Sequence, residues 1–236
     1  CTLISIVVFY ILLSFKKMKQ KNKDKISQLA IENHMLSLEQ KTLQLQMNPH
    51  FIFNVLNGIK ALGSQGKIQQ MNETIHTFAS LLRSILNSSK LEEVSLAKEI
   101  KTLSNYMNLE QQMSSNLFEY TIAIKTKNID PEELLIPPML LQPFIENSIK
   151  HGFYQLNKKG EITISFSVEE EFLQCKIKDN GIGITKSKEQ KKQHHASMAI
   201  QVTKERIESL SGKNTLHITE ENGTLISFVI PLKTDY

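Results

Sequence analysis

The sequence predicts an α+β protein, a helical hairpin followed by an α/β-sandwich domain. Three observations carry this. From Asn48 to about residue 88, apolar residues recur at steps of three and four, the period of packed helices. Beyond Phe118, the runs Ile162, Ile164, Phe166, Val168 and Leu173, Cys175, Ile177 alternate with period two, as half-buried strands do. Helical stretches at about 139–150 and 197–211 interrupt the strands, and this mixed order suits helices layered on one face of a sheet.

Composition narrows the classes. The chain has 236 residues, 7% aromatic content and no Trp, so its core must be largely aliphatic. Its formal charge of +4 is exceeded by Lys16, Lys17, Lys19, Lys21, Lys23 and Lys25 alone. No other basic patch with interleaved aromatics occurs, which argues against direct nucleic-acid binding. Cys1 and Cys175 lie in unlike contexts and form neither a disulfide framework nor a CxxC metal site, which fits a reducing compartment.

In chain order, residues 1–15 are uncharged and apolar apart from Thr and Ser, slightly short of the roughly 17–25 residues of a membrane span. They read as the C-terminal part of a transmembrane helix, and the lysines after them mark the cytoplasmic side. A signal peptide would carry its basic residues before the apolar run. Residues 16–47 read as a cytoplasmic linker and coiled coil, with Leu29, Leu36 and Leu43 at heptad spacing and a second seam at Leu38, Leu45, Ile52 and Ile59.

Residues 48–90 form the hairpin. Asn48 is the expected N-cap and Pro49 the first helical residue. The stripe Ile52, Val55, Ile59, Leu62 marks one packed face. His50 lies about 200° from Ile52 and so points to water, with Asn54 one turn on along the same exposed face. An open imidazole of this kind suits an intermolecular phosphoryl acceptor. The GSQG at 63–66 makes the turn, and Ile68, Met71, Ile75, Phe78, Leu82 and Ile85 stripe the second helix. Two such helices do not bury their stripes alone, so a second copy completing a four-helix bundle is expected.

Residues 91–236 form the second domain. Ser95 caps a helix to about Ser115 with Leu96, Ile100, Leu103 and Met107 on one face. Phe118, Tyr120, Ile122 and Ile124 make a first strand. Pro137–Pro138 open a helix from Met139 to Lys150, and Asn222-Gly223 turns a terminal hairpin.

Three segments then carry a resemblance. LQMNPHFIFNVLNGIKAL at 45–62, PPMLLQPFIENSIKHG at 137–152 and DNGIGI at 179–184 occur in the order found in LytS-type sensor histidine kinases. The likeness spans roughly residues 40–232. It implies a Bergerat-type ATP-binding domain, the fold shared with gyrase, heat-shock chaperones and mismatch-repair proteins. By that resemblance His50 is the phosphoacceptor and Asn54 its catalytic companion. Asn147 would ligate Mg²⁺ through its amide oxygen, with Lys150 and His151 near the phosphates. Asp179 would accept from the adenine amino group, and Gly181 and Gly183 would let backbone approach the nucleotide. The family's second glycine box is altered here to Ser197-Met198-Ala199-Ile200, although Arg206 keeps its match and by the resemblance would join the nucleotide-binding residues. The lid would span about 185–196.

One position separates the relatives. In the ATP-hydrolysing members a general-base glutamate stands four residues before the Mg²⁺ asparagine, and here that residue is Pro143. Glu146, next to Asn147, projects about 100° away. Hydrolysis is therefore disfavoured and transfer to His50 favoured. The resemblance implies ATP and Mg²⁺ as cofactors, a homodimer, and a response regulator of LytTR type as partner. It also implies a site at the cytoplasmic membrane. A non-catalytic scaffold and an ATP-hydrolysing switch are the rival readings.

The coil enters the His50 helix across Pro49, which cannot donate the backbone bond of a continuous helix. If the coil drives the chemistry, one residue inserted between Lys41 and Thr42 rotates it by about 100° and should change autophosphorylation strongly. Seven inserted residues nearly restore the phase and should change it little. Equal rates in the two insertion variants would make the coil a passive tether.

Overall fold

The computed structural model describes residues 16–21, 25, 49–113, 118–126, 129–153, 156, 158–183, 194–212, 215–220 and 222–234. The chain divides into two compact units, Cys1–Met47 and Asn48–Tyr236. In the first, residues 16–21 are helical and exposed. The apolar segment at 1–15, the coil seams at 26–47, Asn48 and the lid at 185–193 lie outside the described residues.

The second unit begins with helices α1 (Pro49–Ser64) and α2 (Ile68–Ser88), and the turn between them is closed by Gly66 at φ 71°. Strand β1 (Val94–Ser95) leads into α3 (Leu96–Met113), where the Ser95 hydroxyl accepts the Lys98 N–H at 3.2 Å as the expected N-cap. There follow β2 (Phe118–Lys125), β3 (Leu135–Ile136), α4 (Gln142–Asn147), and a π-helical turn at Ser148–Gly152. The chain closes with β4 (Gly160–Glu169), β5 (Phe172–Asp179), α5 (His194–Ser211), β6 (His217–Glu220) and β7 (Thr224–Pro231).

The main sheet has the order β2-β4-β5-β7-β6, with β2 parallel to β4 and the remaining pairs antiparallel. Strands β1 and β3 form a separate antiparallel pair. The period-two runs line up across strands: Ile164 opposes Ile177, which opposes Ile226, and Phe166 opposes Cys175, which opposes Phe228. These rows are buried, while Glu161, Thr163, Lys176 and Lys178 on the other face are exposed. Phe144 of α4 packs its ring 6.2 Å from Phe228, placing a helix against the apolar face, as an α+β sandwich requires. Burial also pushes the Cys175 thiol well up, which makes it an inert core residue.

In the hairpin the buried face is turned relative to the predicted stripe. Phe51 and Val55 are buried on α1, and Thr74, Phe78, Leu81, Ile85 and Ser88 on α2. Ile75, predicted inside, is 43% exposed, and Ile68 is exposed too. The reason is α3, which packs against both hairpin helices through Phe51–Tyr106 and a Thr74–Gln112 hydrogen bond of 3.1 Å. It takes the place on this face that the sequence reading left to a second chain.

Helix α4 starts three residues later than predicted, because Pro143 belongs in its first turn, where a missing N–H is harmless. The preceding turn holds Met139 at φ 56°, a strained value for a residue with a side chain. Its N–H donates to Glu99 Oε2 at 3.0 Å, and Arg206 Nη2 donates to the Pro138 carbonyl at 3.0 Å. Glu99 is fully enclosed and its Oε1 has no hydrogen-bond partner. Burial lifts its pKa from 4.5 to about 7, against the pull of the Met139 N–H and the Arg206 charge.

The folded state thus holds the Glu99 proton more tightly than the unfolded chain. The stability this confers is full below about pH 4.5 and is lost as the pH rises to about 7. The window corresponds to about 3 kcal/mol. Urea denaturation across pH 4.5–8 should show Glu99→Gln losing less stability than the wild type over this range. A constant difference between the two proteins would contradict it.

Candidate active site

Strand parity delivers the central acid. Leu173, Cys175, Ile177 and Asp179 all face inward along β5, so the residue ending the strand carries its carboxylate into the interior, 4% exposed. A carboxylate there requires donors. It receives the Ser148 hydroxyl on Oδ2 at 2.6 Å, and the N–H groups of Gly181 and Thr224 on Oδ1 at 2.9 and 3.0 Å. The two oxygens of a carboxylate offer about four acceptor positions, of which these donors take three. That geometry suits one exocyclic amine.

Three segments converge on Asp179: the π-turn after α4, the DNGIG loop, and the start of β7. Glycine permits the convergence. A Cβ on Gly223, which has φ 138°, would lie 2.0 Å from the Asp179 carbonyl oxygen. One on Gly181 would lie 2.6 Å from the Gly152 carbonyl oxygen, which accepts the Ile182 N–H at 2.9 Å. Gly183 continues the loop at φ 82°.

Asn147 is the last residue of α4 and is half-buried; Lys150 and His151 follow on the π-turn. This turn is closed by the Phe153 N–H to the Ser148 carbonyl at 3.0 Å, a five-residue step of a kind frequent at functional sites. Lys150 Nζ lies 3.0 Å from Glu146 Oε2, and Gln142 Nε2 donates to Glu146 Oε1 at 3.0 Å. Both Glu146 oxygens are therefore engaged. Among the described residues no group of three or more His, Cys, Asp or Glu could hold a metal. Asn147 at the end of α4 offers an amide oxygen, a donor of the kind a hard cation takes alongside phosphate and water.

The site residues separate into groups. Asn147, Lys150 and His151 stand at the end of α4, and Asp179 and Gly181 reach them through Ser148 and Gly152. Arg206 lies at the other end of α4: its guanidinium donates to the Pro138 carbonyl, and burial lowers its pKa against the opposing pull of Glu99. His50 is exposed on the first turn of α1, with its Nδ1 3.2 Å from Asn54 Nδ2. The neighbouring Phe51 is buried between Phe78, at 6.4 Å between ring centres, and Tyr106, at 4.9 Å.

Sequence reasoning missed Ser148, Thr224, Gly223 and Glu99. A signal existed for the first three. Period-two parity along β5 puts Asp179 inside, and a buried carboxylate must recruit donors, of which Ser148 sits beside the asparagine already singled out. No local pattern marks Glu99, which occupies an ordinary helical position in the sequence.

Two family models match the chain, "Histidine kinase" over residues 38–118 and "Histidine kinase-, DNA gyrase B-, and HSP90-like ATPase" over residues 138–234. The sensor protein LytS of Staphylococcus epidermidis is 32% identical over 160 residues, 67% of this chain and 26% of that protein. The sensor protein LytS of Bacillus cereus is 30% identical over 208 residues, 83% of this chain and 34% of that protein. The sensor histidine kinase/phosphatase LytS of Staphylococcus aureus is 34% identical over 151 residues, 64% and 25% respectively. The chain thus spans between a quarter and about a third of the length of these relatives. The histidine kinase domain of the Erythrobacter litoralis EL346 blue-light activated histidine kinase matches loosely, with a TM-score of 0.44 at 12% identity over 85% of this chain and 94% of that one. With both family models matched in order and relatives of one kind throughout, the chain belongs to the LytS-type sensor histidine kinases.

Proposed function

We propose that this chain is the kinase portion of a membrane sensor, transferring the γ-phosphoryl of ATP to His50 and then to an aspartate of a response regulator. The observation that carries the reading is the pairing of an exposed His50 with a buried Asp179 whose carboxylate is organised by three donors. A regulator of LytTR type is the partner that the family resemblance implies.

Asp179 receives the adenine amino group, and Asn147 holds Mg²⁺, which neutralises phosphate charge when bound. Lys150 leaves Glu146 to meet the phosphates, and His151 stands beside it. Gly181 and Gly183 keep the loop close to the base, and Arg206 positions α4 from its far end. The ATP domain offers no activated water: Pro143 stands where the hydrolysing relatives place their base, and Glu146 is tied to Gln142 and Lys150. Catalysis is therefore mostly positioning and charge stabilisation. The Asn54 contact occupies His50 Nδ1. With the amide oxygen turned to accept from Nδ1–H, Nε2 carries the lone pair that attacks phosphorus.

The hairpin supports a homodimer. Phe53, Leu56, Ile68, Ile75 and Leu86 stay exposed on α1 and α2, more large apolar side chains than a free hairpin surface carries without a partner. A second copy covering them makes the four-helix bundle. The membrane link rests on residues 1–15 and the lysines that follow; among the described residues no helix is long and apolar enough to cross a membrane.

With γ-labelled ATP and Mg²⁺ the chain should acquire acid-labile, base-stable label, and His50→Gln should abolish it while ATP still binds. Label that survives this substitution would sink the assignment of His50, whereas ATP binding without label in the wild type would favour the scaffold reading. Asp179→Asn, which puts an N–H₂ among donors, should weaken ATP binding at least about tenfold, or 1.4 kcal/mol, by calorimetry. Unchanged affinity would move the nucleotide elsewhere.

A further inference from the structure

Two contacts show how α1 lies on α3. The Phe51 ring meets Tyr106 at 4.9 Å, and seven residues further on in each helix, Gly58 faces Met113, whose Sδ would be 1.9 Å from a Cβ there. The helices therefore run parallel and in register, each α1 residue level with the α3 residue 55 positions later. Glu110, one turn beyond Tyr106, is level with Val55. Helical side chains lean toward the N-terminus, and Glu110 does so here: its Oε1 accepts the Tyr106 hydroxyl at 2.9 Å. This returns the carboxylate toward the level of Phe51, the turn of α1 that carries His50 and Asn54.

Glu110 is 8% exposed, an unusual place for a glutamate. The charged groups around it come from three elements: His50 of α1, Glu146 of α4 and Lys150 of the π-turn, with Tyr106 on its own helix. Burial and Glu146 favour its neutral form, while the Tyr106 hydroxyl, Lys150 and His50 favour its charged form. Helix α1, PHFIFNVLNGIKALGS, contains no acidic residue of its own. Glu110 of α3 is an acidic group from outside that helix that interacts with His50.

We propose that Glu110 is a positioning residue for His50, a carboxylate held by Tyr106 that orients the imidazole and stabilises the cation formed during phosphoryl transfer. The inference rests on the kinase reading. In that step the Nε2 lone pair forms the N–P bond, the P–O bond to the β-phosphate breaks, and its electron pair leaves on ADP. The imidazole becomes cationic until the Nδ1 proton, leaving its Asn54 hydrogen bond, passes to solvent water at this exposed residue. Glu110 lowers the energy of that cation and, through the register of α1 on α3, limits how the ring turns.

Glu110→Gln preserves volume and can still accept the Tyr106 hydroxyl, so it removes chiefly the charge. In the intact chain the initial rate of His50 phosphorylation should fall roughly 10- to 100-fold, with KM for ATP changed less than about twofold. Glu110→Asp should recover part of the rate. A Glu110→Gln rate equal to wild type would overturn the proposal, as would loss of rate matched by a rise in KM that Asp does not relieve, since that pattern marks a structural role. Label on wild-type His50 with equal rates in both variants overturns this inference alone; no label on the wild type overturns it together with the kinase reading.

Discussion

The turn before α4 is the constraint on which the site depends. Met139 sits at φ 56°, where a side chain is strained, and the carboxylate of Glu99 holds its N–H while Arg206 holds the Pro138 carbonyl. An enclosed carboxylate is costly unless donors and a counter-charge compensate, and here the backbone N–H groups from Met139 to Leu141 and the Arg206 charge do so only in part. What the arrangement secures is the starting point of α4. A six-residue helix has little freedom once its first turn is set, so the position of Asn147 and Ser148 follows from the turn.

From there the geometry is transmitted through short polar contacts. Ser148 donates to Asp179, and the Gly152 carbonyl receives the Ile182 N–H, so two hydrogen bonds tie the π-turn after α4 to the DNGIG loop. Buried hydrogen-bonded networks of this kind specify a single arrangement because each unmade bond would leave a desolvated group. The Asp179 carboxylate is thereby held in one orientation by three donors.

Helix α3 joins this domain to the hairpin. Its buried residues include Leu96, Leu103, Met107 and Leu109 together with Glu99 and Glu110, a face too wide for one partner. It serves two cores, with Glu99 toward α4 and α5, and Tyr106 and Glu110 toward α1. In this chain α3 is the element that touches both the hairpin and the turn before α4.

The sequence by itself determined the classes of element and most of the site. Period-two alternation located β4 and β5 and, read to its end, the inward Asp179; Ser95 marked the start of α3; the NPHFIFN turn put His50 on an open helical face. These are properties of neighbouring residues, and local chemistry suffices to read them. Only the tertiary structure decided which apolar face meets which partner. The stripe through Ile68 and Ile75 established that α2 has such a face, yet α3 lies against Phe78, Leu81 and Ile85 and leaves Ile68 and Ile75 exposed. Glu99 and Glu110 were illegible for the same reason. A glutamate on a helix reads as a solvated surface residue until the elements that enclose it arrive from 40 residues along the chain, as Met139 does for Glu99.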